Sequence, residues 1–210
     1  MDSDLILRGS ITILAIISLI VFLHIRNRKR EKKAFSVLQN FAKEFNCHVS
    51  SYDRWDKSLI GIDSGEMNKL FFLRTISNKE YREAINLSEV MSCRLVLDER
   101  TVQYNKEKVN VIDKIDLVFS FVNTHKQDVK LEFYNADYDR LTLSGELQLA
   151  QKWSGIVKSI LDTNKKWEKE VNTAKIQVPS ASNGKAIHAH VPAYPSKRKS
   201  KYTASKIHAI

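Results

Sequence analysis

Residues 9–25 contain no Asp, Glu, Lys or Arg, and six of the next eight residues, in RNRKREKK, are cations. Few folds admit such a junction. With Leu5, Ile6 and Leu7 included, the apolar stretch covers 21 residues and is interrupted only by Arg8. As a helix it is roughly 31 Å long, close to the hydrocarbon thickness of a bilayer. Arg8 lies near one end, where a long side chain snorkels to the headgroups. A helix buried in a globular core competes poorly, because few such helices are apolar on every face. A cleaved signal peptide carries its positive charge before the apolar core and a small-residue site after it. Here Asp2 and Asp4 come before, and HIRNRKREKK follows. The segment 1–25 therefore reads as a retained transmembrane anchor. Lys and Arg beside a span stay on the cytoplasmic side, so the N-terminus is expected outside a cell (inner) membrane and the remaining chain in the cytoplasm. Arg26, Arg28, Lys29, Arg30, Lys32 and Lys33 then meet anionic headgroups, each charge worth about 1 kcal/mol near the surface.

The charge partition supports that placement against the obvious rival. A net charge of +10 over 210 residues points toward nucleic acid. Yet residues 34–170 hold 20 basic and 21 acidic side chains, while 26–33 carry +5 and 171–210 carry +7. A nucleic-acid-binding domain carries its charge on its own surface, and this one is neutral. Cys47 and Cys93 fit free thiols in a reducing compartment.

Residues 26–50 read as a basic juxtamembrane segment followed by an amphipathic helix. In AFSVLQNFAKEF a single stripe collects Phe35, Leu38, Phe41 or Ala42, and Phe45, and this helix can continue the membrane segment. Over 51–170 the period changes. SLIGID, NKLFFLR, EAINLSEVMSCRLVL, KIDLVFSFV and VKLEFY are short runs rich in Ile, Val, Leu and Phe. Ile115, Leu117, Phe119 and Phe121 alternate cleanly, as do Val129, Leu131 and Phe133, the pattern of antiparallel strands with one face on a core. DSGEMN, SNKEY and NTHKQD are turn-like, and the spacing predicts a meander of six or seven strands. Ser144 is placed to cap a last helix with Glu146 in its first turn. Leu147, Ala150, Trp153, Val157, Ile160 and Leu161 give that helix a continuous apolar face, and it can run on through NKKWEKEV.

The fold class expected is α+β: an N-terminal transmembrane helix, a small antiparallel sheet or partly open barrel, a closing amphipathic helix, and a tail. This order resembles the pleckstrin-homology-like superfold in its bacterial versions. INLSEVMSCRLVL, the pair IDLVFSFV and VKLEFY, and the helix over 145–162 carry the resemblance, over about 100 to 110 residues. It implies a bent sheet plugged by the helix. The basic first-loop cluster of phosphoinositide-binding members does not occur here. Residues 171–210 hold all three prolines and no acid, so this basic tail is expected to be disordered.

Catalytic signatures are sparse. No phosphate-binding Gly loop, serine elbow, HExxH or CxxC occurs. His188, His190 and His208 on the tail make a poor metal site. Cys47-His48 reads as a helix end rather than a nucleophile and base, and Asp137 and Asp139 as a turn rather than a cation site. In SYDRWDK, Tyr52, Arg54 and Trp55 either form a partner surface, since Trp and Arg anchor interfaces, or lid the core. The function expected is a membrane-anchored, non-catalytic adaptor or scaffold without metal or cofactor, its partners the anionic bilayer and another protein. The alternatives are an enzyme with an unrecognised site in the β domain and a membrane tether for nucleic acid through the tail.

Overall fold

The computed structural model describes residues 3–63, 65, 68–104, 107–140 and 142–176, with side chains from Ile13 onward apart from those at 104, 172 and 174–176. The tail beyond Ile176 lies outside the described residues. Within them the chain is α+β: one long helix, two antiparallel sheets and a second long helix.

Helix α1, Ser3–Lys43, is a single uninterrupted helix of 41 residues. It ends in a Schellman turn. Asn46 adopts a left-handed conformation (φ 56°), its N–H donates to Lys43 O, and the Cys47 N–H reaches back to Ala42 O. Asn tolerates that backbone because its short polar side chain costs little there. Buried Gln39 then fixes the returning chain, donating to Cys47 O (3.3 Å) and accepting from Val49 N (3.1 Å).

The first sheet is a meander of β1 (Ser51–Trp55), β2 (Ser58–Ile62), β3 (Lys69–Ile76) and β4 (Lys79–Asn86). Two-residue turns join β1 to β2 at Asp56-Lys57 and β3 to β4 at Ser77-Asn78. Ser77 and Asn78 both have positive φ, as the tightest hairpin turns require. A 3-10 turn, Leu87–Glu89, capped by the Asn86 side chain, leads into the second sheet of β5 (Val90–Tyr104), β6 (Glu107–Phe121) and β7 (Val129–Asn135). Among the described residues the two sheets do not close into a barrel.

Helix α2, Glu146–Ile176, closes the main core. Its Leu149, Ala150, Trp153, Val157 and Leu161 meet Ile60, Leu70 and Phe72 of the first sheet and Ile115, Leu117, Phe119 and Phe133 of the second. The cap differs from the sequence expectation. Gly145 (φ 111°) occupies the position before the first turn, its carbonyl accepting from Leu149 N, while Glu146 accepts from the Ser144 N–H. The helix also extends through residues 171–176, which the sequence assigned to the disordered tail.

A second, smaller cluster lies on the other face of the first sheet. Leu38, Phe41 and Ala42 of α1 pack there on Val49, Phe71 and Leu73. Strand β3 is thus covered on both faces, Leu70 and Phe72 inward and Phe71 and Leu73 under α1, and for that reason LFFL shows no alternation. The rest of α1 points away from this contact. Its large apolar side chains between Ile13 and Ile25 are exposed on every side. Among the described residues no helix is long and apolar enough to cross a membrane. The apolar run with described side chains, residues 13–25, is about 20 Å long against about 30 Å of hydrocarbon. The expected span draws also on residues 5–12, whose side chains lie outside the described ones.

Candidate functional site

Strand alternation divides the SYDRWDK segment between two faces of β1. Asp53 and Trp55 point to the main core. The Asp53 carboxylate accepts from Lys152 Nζ (2.6 Å) and Trp153 Nε1 (2.8 Å), tying β1 to α2. The half-buried Trp55 indole stacks on Phe133 (4.6 Å between centroids, 12° between planes) and donates to Phe133 O at 2.9 Å. Trp55 therefore lids the core. Tyr52 and Arg54 lie on the opposite face, beside α1. Tyr52 is half-buried against Phe35, 5.1 Å between ring centroids, and Arg54 is exposed.

The basic turns of α1 also have two faces. Residues 26, 29, 30 and 33 share one with Phe22 and Ile25. Arg28 and Lys32, one turn apart, lie on the other, the face that continues into the contact with the first sheet. Together with Glu31, Phe35 and Tyr52 they line an open groove of about 390 Å³ between α1 and β1. Burial, then the neighbouring Glu31, hold the Tyr52 phenol above its ordinary pKa, with Arg54 opposing. Tyr52 thus keeps its proton. Arg74, Arg82, Arg94 and Arg100 each meet a carboxylate. Among the described residues no carboxylate pairs with Arg28, Lys32 or Arg54.

The other sequence candidates have structural duties. Cys47 is buried and its Sγ donates to Phe45 O (3.4 Å); burial, then Asp63, push its thiol up. Burial pushes Cys93 up to about 12. Neither is an activated nucleophile, since the reactive form is the thiolate, and His48 is exposed at the strand entrance. Asp139 pairs with buried Arg74 (2.6 Å), which also donates to Glu132 O (2.7 Å), so it is committed to bridging β3 to β7. Asp137 is exposed in the turn. Among the described residues no group of three metal-ligating side chains occurs; His188, His190 and His208 lie outside them.

A neighbouring cluster escaped the sequence reading. On the outer face of the second sheet Asp116 lies beside Lys114 (3.4 Å), which also meets Glu132 (3.0 Å). Burial raises the pKa of Asp116, and its buried Oδ1 has no hydrogen-bond partner among the described residues. Its sequence signal, one Asp at an outward position of a clean alternation, is that of any solvated strand. No protein-family model, curated protein or solved structure matches this chain.

Proposed function

We propose that this protein is a non-catalytic binding module anchored in the membrane through its N-terminal helix, with basic flanks against anionic lipid. One observation carries the reading. A single helix joins an apolar stretch exposed on every side, a basic band, and a stripe packed on the sheet. In water those apolar side chains, about half exposed each, have no favourable surroundings, and each is worth roughly 1.5–3 kcal/mol when buried. The full apolar sequence over 5–25 supplies the length that a span needs. The basic band sets the domain on the cytoplasmic side.

The order of a four-strand meander, a three-strand meander and a closing helix supports the pleckstrin-homology-like reading of residues 51–170. Two buried thiols held protonated and a Trp used for packing favour binding over chemistry. The partner expected besides lipid is another protein, met by Arg54 and its surroundings on the domain.

Alkaline carbonate extraction and flotation test the anchor. The full chain should stay with anionic and neutral liposomes alike, in high salt and at high pH, while residues 34–210 should float only with anionic liposomes and leave them in salt. Release of the full chain by carbonate would refute the anchor.

A further inference from the structure

We infer that the groove between α1 and β1 is a binding site for the headgroup phosphate of an anionic phospholipid, held by Arg28, Lys32 and Tyr52. The inference rests on the anchored reading above and deepens it. The basic band as a whole attracts a negative surface without choosing among positions; the groove turns part of it into a defined site.

The chemistry of the lining is that of a phosphate cradle. Arg28 and Lys32 stand one turn apart on the wall given by α1, and Tyr52 lines the wall given by β1. Guanidinium and ammonium groups make the short, charge-assisted hydrogen bonds that phosphate accepts. A protonated phenol adds a neutral donor, and the raised pKa of Tyr52 keeps it one. The Phe35 and Tyr52 rings give an apolar floor. Arg54, exposed on the same face of β1, adds a third cation whose charge is felt at Tyr52. Glu31 is the one acidic group of the lining and opposes the ligand.

Position selects a lipid over a phosphate in solution. The apolar run ends at Ile25, and Arg28 and Lys32 follow it by roughly 5 and 10 Å along the helix axis. The headgroup layer adds roughly 5–7 Å beyond the hydrocarbon on each side. When Ile25 sits at the hydrocarbon boundary, Arg28 therefore lies at the depth of the phosphates, and Lys32, a few Å beyond, reaches back toward them, since helical side chains lean toward the N-terminus and long cationic ones snorkel. Because α1 is unbroken from the apolar run to the sheet, Tyr52, beside Phe35, is held at the outer end of the groove.

The two faces of the basic band supply the test. The full chain is reconstituted in nanodiscs of phosphatidylcholine doped with phosphatidylglycerol, and the ratio of anionic to neutral lipid retained on it is read by native mass spectrometry. Lys29→Gln with Lys33→Gln removes two charges from one face and takes away only the diffuse attraction of the band. Arg28→Gln with Lys32→Gln removes the same charge and the held phosphate as well, and should lower the ratio about tenfold further. Tyr52→Phe keeps the ring contact and should cost about fivefold; Glu31→Gln should raise the ratio. Equal losses in the two double variants would mean plain surface electrostatics and overturn the site while leaving the anchor standing. Displacement of the lipid by excess glycerol phosphate would make the occupant a soluble phosphate and overturn the lipid assignment. Failure of the parent chain to enter nanodiscs would overturn the anchor itself and this site with it.

Discussion

At the scale of single residues, Gly61 shows how closely α1 approaches the sheet. A Cβ at that position would lie 2.6 Å from Leu38 Cδ2 and 3.0 Å from Val49 Cγ1. Both neighbours are fully packed in the cluster between α1 and the sheet, so neither can retreat without disturbing Phe41 or Phe71. Gly61→Ala should therefore destabilise the fold by about 1–3 kcal/mol through overpacking. Urea unfolding checks this, and an unchanged midpoint would show that the helix is free to lift. Asp116 makes a prediction with a sign. Burial raises its folded pKa, so the fold favours the protonated form. The stability this gives is fully present below the unfolded carboxylate value, near pH 4, and is lost as pH rises through the higher folded value. Relative to Asp116→Asn, the parent should thus lose stability between about pH 4 and pH 7. Urea midpoints for both proteins across that range decide it, and a difference that stays constant with pH would refute the assignment.

At the scale of elements, the β5–β6 hairpin has two unlike halves. Strand β7 pairs with β6 only from Lys114 to Phe119, so, among the described residues, 99–104 and 107–112 form a ribbon with no third strand. Residues 99–101 and 107–110 are exposed, and the pair Thr101–Asn110 is held by a side-chain hydrogen bond (3.0 Å) at the surface. Two-stranded ribbons are marginal without a packed face. Amides of the ribbon should exchange at least about a hundredfold faster than those of residues 116–119, where β6 is central; equal protection would mean that the ribbon is packed. The same contrast explains what sequence alone can reveal. Ile115, Leu117, Phe119 and Phe121 announce their strand because one face meets the core. DERTVQY and EKVNV do not, because neither face does. Strand β4 begins at Lys79 with five exposed residues, and so its start reads as the turn SNKEY. In the candidate site, the six cations and Tyr52 were visible as residue types. Their division into two helix faces and the closure of a groove across 24 residues, from Arg28 to Tyr52, depend on how α1 docks, which no local pattern encodes.

At the scale of the whole molecule, the unbroken run of α1 is the feature that, on the anchored reading proposed above, relates bilayer to domain. From Ile25 to Phe35 the helix rises about 15 Å without a Gly or Pro to bend it. Phe35 touches Tyr52, and Phe41 packs edge-on against Phe71 (5.5 Å), so the far end is clamped to the first sheet. The domain is thereby held at one height and one rotation about the helix axis. A flexible Gly-Ser-Gly-Ser insert after Lys33 separates the two roles of α1. The docked stripe, Phe35 to Phe45, is left intact, so the thermal midpoint of the domain should stay within a few degrees of the parent. The apolar run is also intact, so carbonate resistance should persist. The register between Arg28 and Lys32 on one side and Tyr52 on the other is lost, because four Gly/Ser residues behave as a coil spanning roughly 10–12 Å. Anionic-lipid selectivity in nanodiscs should then fall to that of Arg28→Gln with Lys32→Gln, with all six cations still present. If selectivity survives the insert, the cations act as an unstructured band and the rigidity of α1 has no part in lipid choice; if it is lost, the helix works as a ruler between bilayer and sheet.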